Sequence, residues 1–220
     1  MVGYPSQAQG DRLQTYYSTV RICHRPLTQL FNLQRTFMNY KDEIDFWGNC
    51  CNTIQEEDRQ FTYAHRMGLK FNNWYIDVMG KSILDVGGGP VSLLLKTFNL
   101  GGGKVVDPIT YPVWTNLRYE SHGISVNVQA AEDMNETGYD EVWMYNCLQH
   151  TIDPERIIEN IKRAGKVLRI FEWINIPAHA GHPQELKEEK LNAWIGQKGQ
   201  TETFGTASLA GTAYFGTFNL

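Results

Sequence analysis

Hydrophobic positions along the chain follow two regimes that meet near Gly80. Upstream, Tyr16, Tyr17, Val20, Leu27, Leu30, Phe31, Leu33, Phe37, Met38, Phe46 and Trp47 recur at mixed intervals of three and four, the spacing of amphipathic helices. Pro26 suits the first turn of one such helix, where its missing N–H costs nothing. Helices are also predicted over 56–69 and 72–78, with Gly80 as a stop. Downstream, short apolar runs alternate with amphipathic segments. Strands are predicted over 82–86, 104–107, 124–128, 139–145 and 166–173. Between them, Val91, Leu94, Leu95 and Phe98 mark one helix face at i, i+3, i+4 and i+7, and a further helix is predicted over 112–120. Asp153-Pro154 opens the next helix, because Asp153 can cap it and Pro154 suits its first position. A last helix is predicted over 186–195, and the alternating segments 201–206 and 212–218 suggest a closing antiparallel hairpin. Strands alternating with helices imply an α/β fold with a mostly parallel sheet and helices on both faces.

The chain has 220 residues, of which 42% are hydrophobic, which suits one α/β domain with a small appendage. Its formal charge of −4 offers no concentrated basic patch, so nucleic acid is not an expected partner. No apolar run approaches the ~20 residues of a membrane span. The opening MVGYPSQAQGDRL lacks the basic and apolar regions of a signal peptide, and the expected location is cytoplasmic. Cys23, Cys50, Cys51 and Cys147 are too few for a disulfide scaffold and lack C-x-x-C spacing, so they are read as reduced thiols.

Four signals stand at successive carboxyl ends of the predicted strands, where ligands bind in open α/β sheets. The first is Ile83-Leu84-Asp85-Val86-Gly87-Gly88-Gly89-Pro90, an acid before a glycine turn that lets backbone approach a ligand closely. The second is Asp107-Pro108, an acid placed to accept from both hydroxyls of a ribose. The third is Glu132-Asp133-Met134, where an acidic side chain can accept from an exocyclic amine. The fourth is Asn146-Cys147-Leu148-Gln149-His150.

Leu84-Asp85-Val86-Gly87-Gly88-Gly89, Val106-Asp107, Glu132-Asp133-Met134 and Leu148-Gln149-His150, in this order, resemble the class I S-adenosylmethionine-dependent methyltransferases. The resemblance covers roughly residues 80–175. It implies a Rossmann-like seven-stranded sheet with one antiparallel strand over residues 81–220, and an N-terminal helical cap over residues 1–80 that covers the cofactor and shapes the acceptor pocket. It implies S-adenosyl-L-methionine as cofactor. Asp85 and Gly87, Gly88 and Gly89 would face its methionine part, Asp107 and Pro108 its ribose, and Glu132, Asp133 and Met134 its adenine. Asn146 and Cys147 would line the cleft near the sulfonium. The chain departs from the family's commonest form in carrying Asp107 where Glu is usual, and the shorter side chain alters that contact.

His150 overhangs the predicted cleft and titrates near neutrality, so it is the candidate base or acceptor contact. His179 and His182 follow the fifth strand and, with Trp47, are candidate substrate-binding residues; Tyr63, His65 and Arg66 belong to the same covering segment. Cys147, His150, His179 and His182 carry zinc-type donors, but no metal is expected. The place after the fourth strand reads Asn146-Cys147-Leu148-Gln149, which is neither a Pro-Pro-Tyr type amino-methylation motif nor a Pro-Cys nucleophile. The expected acceptor is therefore a small molecule, methylated on oxygen or nitrogen. A non-catalytic module that binds the cofactor or its product is the alternative. A nicotinamide-dependent oxidoreductase is a more remote one, because Ser92 stands where that fingerprint has its third glycine.

Overall fold

The computed structural model describes residues 41–220 apart from Ala207, so the elements read from Tyr16 to Met38 and the helix at Pro26 lie outside the described residues. The described chain opens with helix α1 (Lys41–Trp47) and helix α2 (Cys50–Arg66), whose N-cap Asn49 accepts from the Cys51 amide. A short hairpin follows, β1 (Phe71–Asn72) and β2 (Tyr75–Asp77). The main strands are β3 (Ser82–Val86), β5 (Gly102–Asp107), β6 (Ile124–Val128), β7 (Tyr139–Tyr145), β8 (Gly165–Ile174), β9 (Gln200–Gly205) and β10 (Ala210–Asn219). Strand β4 (Thr97–Phe98) pairs with β2, while α3 (Val113–Ser121), α4 (Pro154–Ala164) and α5 (Glu188–Ile195) connect the strands.

The seven main strands form one sheet in the order β6-β5-β3-β7-β8-β10-β9. All ladders from β6 to β8 are parallel, and β10 runs antiparallel to both β8 and β9. The period of two divides each strand between two cores. Leu84, Val86, Val142 and Met144 face one side, against Ile157, Ile158 and Ile161 of α4 and Leu191 and Ile195 of α5. Ile83, Val105, Trp143, Tyr145 and Phe171 face the other, against Tyr63 and Ala64 of α2 and Tyr119 of α3. Asp153 accepts from the Arg156 amide with Pro154 at the first helical position, as the sequence predicts. The sheet, its helices on both faces and the closing hairpin are those expected; no helix among the described residues is long and apolar enough to cross a membrane.

Two predicted helices are absent. Residues 72–78 form the β1–β2 hairpin, which turns through Asn73 at φ 57°. Ile76 is buried between exposed Tyr75 and Asp77, which is a strand period and not a helix stripe. The segment after the glycine turn forms two 3₁₀ turns, Gly89–Val91 and Leu93–Lys96. They are separated by Ser92 in an extended conformation (ψ 143°), and Leu93, Leu94 and Leu95 are all buried. The Ser92 and Leu93 amides go to the hydroxyls of Tyr119 and Tyr145, donors a continuous helix would need for its own carbonyls.

Candidate active site

The chain enters the sheet at β3, steps outward to β5 and β6, then returns to β7 on the other side. This reversal opens a crevice at the carboxyl ends of β3 and β7. The glycine turn stands there. Gly87 has φ +74°, and a Cβ on it would lie 2.6 Å from Cys147 Sγ. A Cβ on Gly88 would lie 2.7 Å from Asp85 Oδ2. Both positions therefore need glycine for close approach.

Asp85 shares a face with Tyr145 and is fully buried. Its Oδ2 accepts from Ser92 Oγ at 2.5 Å and from Tyr145 Oη at 2.6 Å. Its Oδ1 has no partner among the described residues. Burial pushes this carboxyl up to about 7, against the two hydroxyl bonds that favour its charged form and with a further rise from Asp107. Tyr119 Oη donates to Gly89 O at 2.5 Å and so clamps the turn from beneath.

Asp107, at the end of β5, accepts from the Gly89 amide at 3.1 Å and the Ile109 amide at 2.9 Å. Burial raises it to about 6, opposed by those amides and by the Tyr111 hydroxyl. Pro108 follows, half-buried. The third signal divides. Glu132 is buried and its Oε1 accepts from the Ile152 and Asp153 amides at 3.0 and 3.3 Å, bracing the start of α4. Met134 is buried in the core, and Asp133 is exposed.

Asn146 ends β7 at φ 52°, and its Nδ2 donates to the buried Glu56 at 3.1 Å. Cys147 donates its amide to Glu172 Oε1 at 3.2 Å, and the Leu148 amide joins it at 3.1 Å. Glu172 Oε2 has no partner among the described residues; burial carries this carboxyl up to about 7, against those amides. Burial raises the Cys147 thiol well above its usual range.

His150 donates from Nδ1 to Gly181 O at 2.8 Å, and Glu43 Oε1 lies 3.1 Å from the same nitrogen. His182 stands edge-on to it, ring centroids 4.4 Å apart, and is pressed down to about 4 by burial and by the neighbouring His150 and His179. His179 is exposed and bridges to His182 through backbone bonds. Trp47 comes within 3.4 Å of where a Gly89 Cβ would be. The structure thus brings Trp47, Asp85, Gly87–Gly89, Asp107, Asn146, Cys147, His150 and His182 to one edge of the sheet. Of the covering segment, Tyr63 is buried on Phe171, Arg66 is spent on Glu202 and His65 is exposed. Among the described residues no group of His, Cys, Asp or Glu side chains converges as a metal site.

Glu43, Tyr119 and Tyr145 are not among the site residues expected from the sequence, and Ser92 is named there only as a departure from the nicotinamide fingerprint. Tyr145 alone had a local signal, as the last strand residue before Asn146 on the face of Asp85.

No protein-family model matches the sequence, and no curated protein sequence matches it. Solved structures do match. Magnesium protoporphyrin IX methyltransferase from Synechocystis PCC 6803 with bound SAH is 14% identical, with a TM-score of 0.55 over 84% of this chain and 98% of that one. A Haloferax volcanii putative methyltransferase, in complex with the Trm112 methyltransferase activator, is 14% identical at TM-score 0.53, over 80% and 97%. A Thermotoga maritima SAM-dependent methyltransferase, described as a possible histamine N-methyltransferase, is 13% identical at TM-score 0.50, over 76% and 95%. At such identities the likeness is one of fold: the chain has the class I methyltransferase fold.

Proposed function

We propose that this chain is an S-adenosylmethionine-dependent methyltransferase acting on an oxygen or nitrogen of a small-molecule acceptor. What carries this reading is the delivery of Asp85, the glycine turn, Asp107 and His150 to the crevice at the strand reversal. The residues present fit the cofactor. Two cradle glycines would clash if they carried a Cβ. Asp85 Oδ1 and Gln149 Oε1 are buried acceptors without partners among the described residues. Asp107 and the glycine turn would hold the ribose and methionine parts, with Asp133 and Met134 toward the adenine. Bound there, the cofactor supplies an electrophilic methyl on a sulfonium. The protein's own work is alignment and exclusion of water, with His150 taking the proton an acceptor must lose. Residues 1–80 are read as the covering segment, supported by Trp47 against Gly89 and by Gln60 Nε2 donating to Val91 O at 2.8 Å.

Calorimetric titration with S-adenosylmethionine, S-adenosylhomocysteine and NAD tests this. Micromolar binding of the first two without NAD is expected. Binding of NAD alone, or of none, overturns it. The second reading is a non-catalytic module that binds the cofactor or its product through the same crevice residues. Release of S-adenosylhomocysteine in an acceptor screen separates the two.

A further inference from the structure

We propose that Glu43 is the positioning residue of His150: helix α1 completes the base by setting a carboxylate against Nδ1, the nitrogen opposite the bare one. The inference rests on the methyltransferase reading and concerns the same site. The spacing on α1 comes first. Glu43 and Trp47 are four residues apart and so lie on one helix face. Both are half-buried, while Ile44, Asp45 and Phe46 between them are exposed. One inward face therefore lays an indole on the glycine turn and a carboxylate on the imidazole, and the indole in turn hydrogen-bonds that carboxylate.

The hydrogen bonds then fix the tautomer. Gly181 O and Glu43 Oε1 both lie against Nδ1, and neither can donate, so Nδ1 carries the proton. Nε2 is left with its lone pair, facing the Gln149 amide nitrogen across a long 3.4 Å contact. An acceptor hydroxyl or amine that displaces this contact meets a basic nitrogen. Gly181 would fix the tautomer alone, but Glu43 adds charge. The other titratable groups facing the ring are Glu172 from β8 and His182 from the loop after it, and His182 in turn faces His179; Glu43 itself also faces His182, Asp107 and Tyr111. Burial lowers His150, and the bond and charge of Glu43, joined by the Gly181 carbonyl and the charge of Glu172, outweigh it and leave the imidazole above its usual value. Glu43 responds in kind: burial raises it, and His150 first, then the Trp47 indole and the charge of His182, more than offset that.

The test is a pH titration of His150 by long-range ¹H–¹⁵N imidazole spectra in the full chain, wild type against Glu43→Gln, which is isosteric on a partly exposed helix. Expected are the Nδ1–H tautomer at high pH and a midpoint that falls by about one unit or more in the variant. An Nε2–H tautomer in the wild type, or an unchanged midpoint in the variant, overturns the proposal. S-adenosylhomocysteine titrated into the same wild-type sample reports separately on the methyltransferase reading, because the imidazole result is read without it.

Discussion

Asp85 is a buried acid with both of its hydroxyl donors on one oxygen, and this makes it costly when ionised. Its folded-state pKa is raised, so the stability it contributes is fully present below its unfolded value of 3.8 and is lost as pH rises through about 7. Asp85→Asn removes that dependence. The variant should gain stability relative to wild type as pH rises from about 4 to 8, by on the order of 4 kcal/mol at the upper end. It should also lose cofactor binding. Urea unfolding across that pH range checks the first part, and a constant difference between the two proteins would refute it. Asp85, Asp107 and His150 were legible in the sequence because each stands at or just after the carboxyl end of a strand that points at the crevice. Glu43 was not, since nothing local to residues 41–47 says which loop histidine its helix will meet.

The carboxyl ends of β3, β5, β6 and β7 fall where the sequence predicts, because apolar runs bounded by glycine or acid leave little choice of register. The element after the glycine turn was misread because Val91, Leu94, Leu95 and Phe98 mimic a helix face. Its backbone amides are instead captured locally by the Ser92 hydroxyl and, from distant parts of the chain, by the hydroxyls of Tyr119 and Tyr145, which sequence spacing does not show. This segment is therefore held by hydroxyls. Tyr145→Phe strands both the Leu93 amide and part of Asp85, and should cost about 2–3 kcal/mol. Ser92→Ala removes a bond to Asp85 and the cap on Leu94, and should cost about 1–2 kcal/mol. The two share Asp85 Oδ2, so the double variant should lose measurably less or more than the two losses together. Strict additivity in a denaturation double-mutant cycle would mean that the hydroxyls act independently.

The whole molecule separates its two tasks along the strands. The carboxyl edge carries strained, under-partnered and ionisable groups, the pattern of a site that gives up stability for binding. Away from the glycine turn, Glu141 is saturated instead: Arg169 grips it at 2.6 and 3.1 Å, Lys81 reaches it at 2.7 Å and the Trp143 indole at 2.9 Å. Burial alone would raise Glu141, but Arg169 first, then Lys81 and Trp143, bring it down to about 2. A lowered carboxylate contributes stability above its unfolded value of 4.5 and loses it as pH falls toward about 2. Arg169→Met leaves Glu141 buried with Lys81 and the Trp143 indole but without its two guanidinium bonds, and should cost about 3–5 kcal/mol near pH 7. The loss should shrink as pH falls below about 4, where an uncompensated Glu141 takes a proton. Because neither Arg169 nor Glu141 touches the glycine turn, affinity for S-adenosylhomocysteine should stay within about twofold of wild type at a temperature where the variant is folded. A matching loss of affinity would mean that the two ends of the sheet are coupled, and that the crevice is held in shape by a charge cluster it does not touch.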